Sequence, residues 1–275
     1  MAKTFLITGV STGFGRALAE AALREGHTVA GTVRKQSDKE NFERLGKDAH
    51  AVILDVTNTG AIAPAVAEIE RGIGPIDVLV NNAGYGHEGI LEESSIEELR
   101  HQFEVNVFGA VAMIQAVLPS MRKRRSGHIL NVTSMGALIT MPGLSYYHGS
   151  KFALEGISET LGKEVKDLGI KVTAIEPGGF RTDWAGRSLV RAARSISDYD
   201  QVMNPARQRR REYSGRQIGD PVKAAQAMLK VATSDNPPAH LLLGSDAVRL
   251  VEEKIKALEA DFEAWKDVSL STDVG

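Results

Sequence analysis

Two hydrophobic patterns alternate along the chain. Short, uninterrupted apolar runs rich in β-branched residues occur at 4–8, 28–33, 51–54, 78–80, 128–133 and 172–175, with a weaker one at 241–243. Runs of this kind suit strands covered on both faces, as in a parallel sheet. Between them lie amphipathic stretches at 15–25, 96–122, 152–168 and 222–233. Their spacing predicts helices. Repeated strand–helix units predict a doubly wound α/β fold, a three-layer αβα sandwich on a parallel sheet with right-handed crossovers. No repeat, low-complexity tract or linker divides the series, so residues 1–275 read as one domain although the length allows two. Two stretches depart from the alternation. Residues 180–217 are rich in Arg, Ser and Gly, and residues 245–267 read as a last amphipathic helix.

Composition narrows the partners. Hydrophobic residues make up 43% of the chain, enough for a large core, and the 33 basic and 35 acidic side chains leave a formal charge of −2. That balance gives no electrostatic reason to expect nucleic acid or an anionic membrane. Cysteine is absent, which excludes disulfides, thiol nucleophiles and iron–sulfur clusters. The seven histidines are scattered without ligand spacing, so no metal site is expected. The first residues run straight into a strand pattern and lack the apolar core of a signal peptide. No apolar run approaches the ~20 residues of a membrane-spanning helix. The expectation is a soluble, cytoplasmic protein that acts on a small molecule.

The first strand leads into Thr8-Gly9-Val10-Ser11-Thr12-Gly13-Phe14-Gly15 and then a helix. Glycines there tolerate positive φ and let backbone N–H groups approach a pyrophosphate, while the helix start adds unpaired donors and the positive end of its dipole. A glycine turn alone would be only a turn; the strand and helix around it supply the context of a dinucleotide site. The Thr-Gly-x-x-x-Gly-x-Gly spacing resembles that of the short-chain dehydrogenase/reductase family, and the resemblance extends over nearly the whole chain. It implies a Rossmann-type fold and a nicotinamide cofactor.

The second strand ends Val33-Arg34-Lys35. Val33 stands where relatives that prefer NAD carry Asp, and Arg34 follows, which looks like the pattern that accommodates the 2′-phosphate of NADP. The resemblance thus implies NADP(H), with NAD(H) use left open; as bare residues, Arg34 and Lys35 could be solvated charges. Asp55-Val56 resembles the family's adenine-contacting pair, though Asp55 could equally cap a turn. Asn81-Asn82-Ala83-Gly84, after the fourth strand, matches the family's Asn-Asn-Ala-Gly segment, where Asn82, Ala83 and Gly84 would pack against the cofactor ribose. Pro177-Gly178-Gly179-Phe180-Arg181-Thr182, after the sixth strand, resembles the segment that holds the nicotinamide carboxamide, with Pro177, Gly178, Phe180 and Thr182 as contacts. In relatives, residues 180–217 would cap the substrate pocket.

Tyr147 and Lys151 are four apart in a helix predicted to begin near Ser145, which puts both on one face. Carbonyl reduction needs a hydride and a proton. A phenol, with an ordinary pKa near 10, works better with an ammonium beside it to stabilise the phenolate. Tyr146 has Ser150 four residues on and lacks that partner. Ser134, just past the fifth strand, would orient the substrate oxygen. Asn106 matches a helix Asn that holds a proton-relay water in the family; an Asn among apolar residues is costly unless bonded, so a structural role fits as well. Together these residues imply a reductase or dehydrogenase interconverting a secondary alcohol and a carbonyl. The pattern is most similar to the branch related to 17β-hydroxysteroid and retinol dehydrogenases. A non-catalytic nucleotide-sensing module and an epimerase or dehydratase are the rival readings. Helices 96–122 and 152–168 resemble those of the family's dimer interface, and a homodimer is expected ahead of a homotetramer. Arg122-Lys123-Arg124-Arg125 reads as a solvated loop. Arg207, Arg209, Arg210 and Arg211 read as solvent-facing, with contact to an acidic substrate as the lesser alternative.

Overall fold

The computed structural model describes residues 1–193 and 196–274. Arg194 and Ser195, inside the stretch read as a pocket cap, and Gly275 lie outside the described residues. In chain order the elements are β1 (Thr4–Ile7), α1 (Gly13–Arg24), β2 (Thr28–Val33), α2 (Gln36–Glu43), β3 (Ala49–Ile53), α3 (Thr59–Gly72), β4 (Val78–Asn81), β5 (Gly86–Glu88), α4 (Ile96–Phe103), α5 (Gly109–Arg124), β6 (Gly127–Val132), α6 (Ser145–Val165), β7 (Ile170–Pro177), β8 (Leu189–Arg191), α7 (Asp200–Tyr213), α8 (Pro221–Ala232), β9 (His240–Leu243), α9 (Ser245–Ala264) and α10 (Lys266–Leu270).

Seven strands form one parallel sheet in the order β3-β2-β1-β4-β6-β7-β9. The unbroken apolar runs follow from this burial. Successive side chains of a strand point to opposite faces, so Phe5 and Ile7 enter one core with α1 and α8, while Leu6 enters the other with α3, α5 and α6. Chain order reverses beside β1, between β1 and β4, and ligands bind at such a switch, beyond the carboxyl ends of the strands.

Three sequence expectations need correction. Residues 96–124 form one long helix, but a π-helical turn at Glu104–Phe108 separates α4 from α5. This helix is long and apolar enough, by length and composition, to cross a membrane. Counting uninterrupted apolar runs missed it because polar residues interrupt the stretch; Met113, Ile114 and Val117 pack it into the core beside the sheet. Arg122, Lys123 and Arg124 are the last turn of α5 rather than a loop, with Arg125 in the left-handed conformation at its end (φ 52°). Basic residues there suit the negative end of the helix dipole. The stretch 180–217 contains both β8 and α7, and β8 pairs with β5 in a separate two-stranded parallel sheet. Strands of three residues are too short to leave a periodic signal.

Candidate active site

The strand ends open onto a cleft of about 1020 Å³. Its phosphate-turn end is built largely from backbone. Gly9 and Gly13 adopt φ of +74° and +62°, conformations that cost glycine little because it lacks a Cβ. Gly9 N–H donates to Thr32 Oγ1 (3.1 Å), and Asn82 Nδ2 donates to the carbonyls of Thr8 (2.8 Å) and Gly9 (3.1 Å). The Thr8 hydroxyl accepts the N–H groups of Asn82 and Ala83, both at 2.9 Å. The turn is therefore tied to β2 and to the end of β4. The Thr12 side chain caps no amide of α1, so it leaves that helix N-terminus for an anion. Ser11, Thr12, Gly13 and Phe14 line the cleft.

Gly15 does not line it. Its α-carbon packs beneath the turn, where a Cβ would lie 2.4 Å from Gly9 O and 2.5 Å from Asn82 Nδ2. That position requires a residue without a side chain for close helix–strand packing.

Arg34, Lys35, Asp55 and Val56 line the next stretch of wall. Asp55 Oδ1 accepts the Thr57 N–H (2.9 Å) and hydroxyl (2.8 Å), so it does close a turn as well as face the cleft. Partial burial works to raise its pKa, but these Thr57 bonds and the positive charge of Arg34 hold it below the ordinary carboxylate value. The Asn pair divides by strand alternation. Asn82 laces the turn, whereas Asn81 points into the core and donates to Asn131 Oδ1 (2.9 Å). Gly84 borders Asn106 and Lys151: a Cβ there would stand 3.1 Å from Asn106 Oδ1 and 3.6 Å from Lys151 Nζ.

Ser134, Tyr147 and Lys151 meet at the cleft floor, each less than a tenth exposed. Ser134 Oγ accepts Gly136 N–H (2.9 Å), and Lys151 Nζ donates to Val132 O (2.8 Å) and lies 5.8 Å from the Tyr147 ring centre. Burial pushes the Tyr147 phenol up to about 12, against a hydrogen bond from Ser134. Burial pushes Lys151 down to about 8, against the charge of Glu155. The sequence-based expectation was a lysine that lowers the tyrosine pKa. Desolvation favours the neutral form of both groups. Tyr146 turns away, donating to Ser94 O (2.9 Å).

Asn106 also sits outside the cleft lining. The π-helical turn aims its amide at the backbone of Tyr85: Oδ1 accepts Tyr85 N–H (3.1 Å), and Nδ2 donates to Tyr85 O (3.0 Å) and Ser150 Oγ (3.0 Å). It is buried and satisfied, and it positions the loop after β4 against the helix that carries Tyr147 and Lys151.

Pro177, Gly178, Phe180 and Thr182 complete the wall, with Phe180 packed edge-on against Phe14 (5.1 Å between centres). Asp246, which sequence reading missed, holds this loop by accepting Gly179 N–H at 2.7 Å. Also missed was Trp184, whose ring lies 5.1 Å from that of Tyr147. So was Arg187, which donates to Thr12 Oγ1 (3.2 Å) and Asp183 Oδ2 (3.0 Å), joining the capping stretch to the phosphate turn. His148 clamps the loop above Ser134, with Nε2 accepting Met141 N–H (2.9 Å) and Nδ1 2.7 Å from Gly136 O. Arg207 and Arg210 are not solvent-facing: they reach the buried Glu93 (3.6 Å) and Glu88 (2.9 Å), while Arg209 and Arg211 are exposed.

The profile of the family described as short chain dehydrogenase matches residues 3–190. Oxidoreductase BOA17 of Botryotinia fuckeliana is 40% identical over 275 residues, covering 99% of this chain and 100% of its own. The 3-ketodihydrosphingosine reductase of Bacteroides thetaiotaomicron is 39% identical, covering 88% of each chain. A solved short-chain dehydrogenase from Streptomyces avermitilis superposes with a TM-score of 0.93 at 39% identity, covering 99% of this chain and 98% of the other. The closed form of a serine dehydrogenase complexed with NADP+ gives a TM-score of 0.75 at 26% identity, covering 87% and 94%. The chain belongs to the short-chain dehydrogenase/reductase family and is an oxidoreductase.

Proposed function

We propose that this short-chain dehydrogenase/reductase uses NADP(H) to interconvert a secondary alcohol and a carbonyl, with Tyr147 as acid and base. The observation that carries the reading is the pairing of Tyr147 with Lys151, both buried on one face of α6, beside Ser134 at the end of β6. A nicotinamide dinucleotide fits the residues present. The α1 N-terminus is uncapped by any side chain, Arg34 flanks the cleft where Val33 offers no carboxylate, and Gly84 leaves space beside Lys151. The NADP+ carried by the serine dehydrogenase supports the same cofactor.

When bound, the nicotinamide supplies or accepts the hydride. The amides of the phosphate turn would hold the pyrophosphate, Arg34 the 2′-phosphate, Lys151 the ribose, and Thr182 the carboxamide. A phenol pushed up to about 12 keeps its proton at neutral pH, ready for an alkoxide oxygen in the reductive direction. Ser134 Oγ already accepts Gly136 N–H, so its own hydrogen is directed to the tyrosine or the substrate oxygen. Lys151 stabilises the phenolate that remains. The loop and capping stretch, through Met135, Met141, Leu144, Trp184 and Val190, give the substrate end an apolar lining suited to a hydrophobic ketone. The ketone named for the Bacteroides relative agrees with a carbonyl substrate.

A screen of ketones with NADPH and NADH, and of alcohols with NADP+ and NAD+, tests this directly. Turnover with NADPH at higher kcat/KM than with NADH is expected. Binding of the nucleotide without turnover of any carbonyl or alcohol would favour the nucleotide-sensing reading. A homodimer through α4, α5 and α6 belongs to the same proposal, supported by Phe108, in the π-helical turn between α4 and α5, and Phe152 on α6, which stand 50% and 43% exposed. A monomer in light scattering at micromolar concentration would refute it.

A further inference from the structure

Tyr147, Lys151, Glu155 and Glu159 recur every fourth residue along α6, so neighbours in the row lie within one turn of each other. The first two face the cleft. The third does not: Glu155 is buried and turned toward the neighbouring strands β7 and β9. There it meets Glu176 of β7, fully buried, and His240, the first residue of β9. His240 Nδ1 stands 2.7 Å from Glu176 Oε1 and 3.1 Å from Glu155 Oε1, and its Nε2 is 3.9 Å from Glu159. Among the described residues no donor reaches Glu155 Oε2 or Glu176 Oε2, and the two carboxyl groups are close enough to share a proton.

Two buried carboxylates beside one imidazole are a charge imbalance. A proton held on the cluster relieves it, and the imidazole, with its side chain 42% exposed, connects that proton to solvent. The directions agree. Burial pushes Glu176 up to about 7, with His240 opposing and Glu155 adding to the rise. Burial works to lower His240, but Glu176, Glu155 and Glu159 outweigh it and raise its pKa. These three carboxylates, from α6 and β7, are the charged groups facing it among the described residues. Nothing in the hydride-transfer chemistry uses this cluster, yet Glu155 is the charge that counters the desolvation of Lys151.

We propose that Glu155, Glu176 and His240 are positioning residues that hold Lys151 in its cationic form from behind the active site, so that the pH range of cofactor binding is set partly outside the cleft. The inference rests on the reading that Lys151 binds the cofactor ribose. The sign follows from the proton count. At the acid end of the range protons sit on Glu176 and His240, both of which hold them more tightly than usual because of burial and the neighbouring carboxylates. As the pH rises the cluster loses protons and becomes more negative, which favours the lysine cation as Lys151 itself approaches deprotonation. The cluster thereby extends cofactor binding toward alkaline pH.

The test is NADPH affinity, read by its fluorescence from pH 6 to 10, on the full chain and its variants. Lys151→Met is expected to abolish the alkaline fall in affinity; if the fall persists, the assignment of Lys151 to the cofactor is wrong. Glu155→Gln is expected to move the fall acidward by about one pH unit, roughly tenfold in Kd at pH 9, and Glu155→Asp to restore most of it. His240→Arg, a half-exposed change that leaves the buried pair intact, is expected to move it the same way by a smaller amount because its charge no longer titrates. With Lys151→Met behaving as expected, a Glu155→Gln profile parallel to that of the parent, weaker by the same factor at every pH, would reduce the cluster to a packing role and overturn the proposal. A profile that moves only when zinc is added would overturn it in favour of an ion at these residues.

Discussion

The two ends of the cleft are built on different principles. At the phosphate-turn end, contacts come from backbone and from residues close to strand termini: Gly9 to Thr32, Asn82 to Thr8 and Gly9, and Thr8 to the amides after β4. Toward the capping stretch, contacts run between side chains: Arg187 with Asp183, Arg210 with Glu88, and Tyr199 with Glu92. The first end tolerates little change because backbone approaches backbone, and the second can vary because side chains fill it. A fold of this kind can hold one cofactor geometry constant while the substrate end changes.

That contrast can be broken most severely at the floor where the two ends meet. Tyr147→Phe should lower kcat by about 10²–10⁴-fold, the range for a general acid–base group, while NADPH affinity by fluorescence stays within a few-fold of the parent. Full activity in this variant would remove Tyr147 from the chemistry. Gly15→Ala probes the rigid end. Its Cβ would meet backbone at 2.4 Å, so thermal unfolding should show a loss of about 1–3 kcal/mol together with weakened NADPH binding. A variant as stable as the parent would mean that the turn can give way.

Arg34→Ala sharpens the comparison by changing specificity at the rigid end without touching its backbone. Removing a charged donor to the 2′-phosphate should cost NADPH about 1.5–3 kcal/mol and leave NADH kcat/KM unchanged; an equal loss for both cofactors would refute the assignment. Arg187→Ala tests the variable end. Its ion pair with Asp183 is exposed on both sides, and such pairs contribute about 0–1 kcal/mol. The expected result is an unchanged melting temperature with a rise of a few-fold in KM, and a large loss of stability would show that the capping stretch is anchored there.

Much of the site was legible before folding because its residues are tied to local conformation. A glycine at positive φ, a tyrosine and lysine one turn apart, and a serine just past a strand leave their signatures within a few positions. Gly15 and Asn106 were recognised by the same means, but the motif does not show that Gly15 packs beneath the turn or that the Asn106 amide is bonded to Tyr85 and Ser150. Asp246, Trp184 and His148 left no usable signal. Each acts through a hydrogen bond or ring contact set by chain segments brought together only on folding. Arg207 and Arg210 looked like solvated charges because their partners, Glu93 and Glu88, lie more than a hundred residues away.

The sequence by itself determined the α/β alternation, the phosphate turn and the one-turn pairing of Tyr147 with Lys151 on α6, because strand burial and helix periodicity are properties of neighbouring residues. The tertiary structure decided which of those residues reach the cleft. It also decided that the Tyr147 phenol is buried, which raises its pKa, and that Glu155 lies against Glu176 and His240. Solvent exclusion and the meeting of distant charges depend on the whole packed chain, and no local pattern carries them.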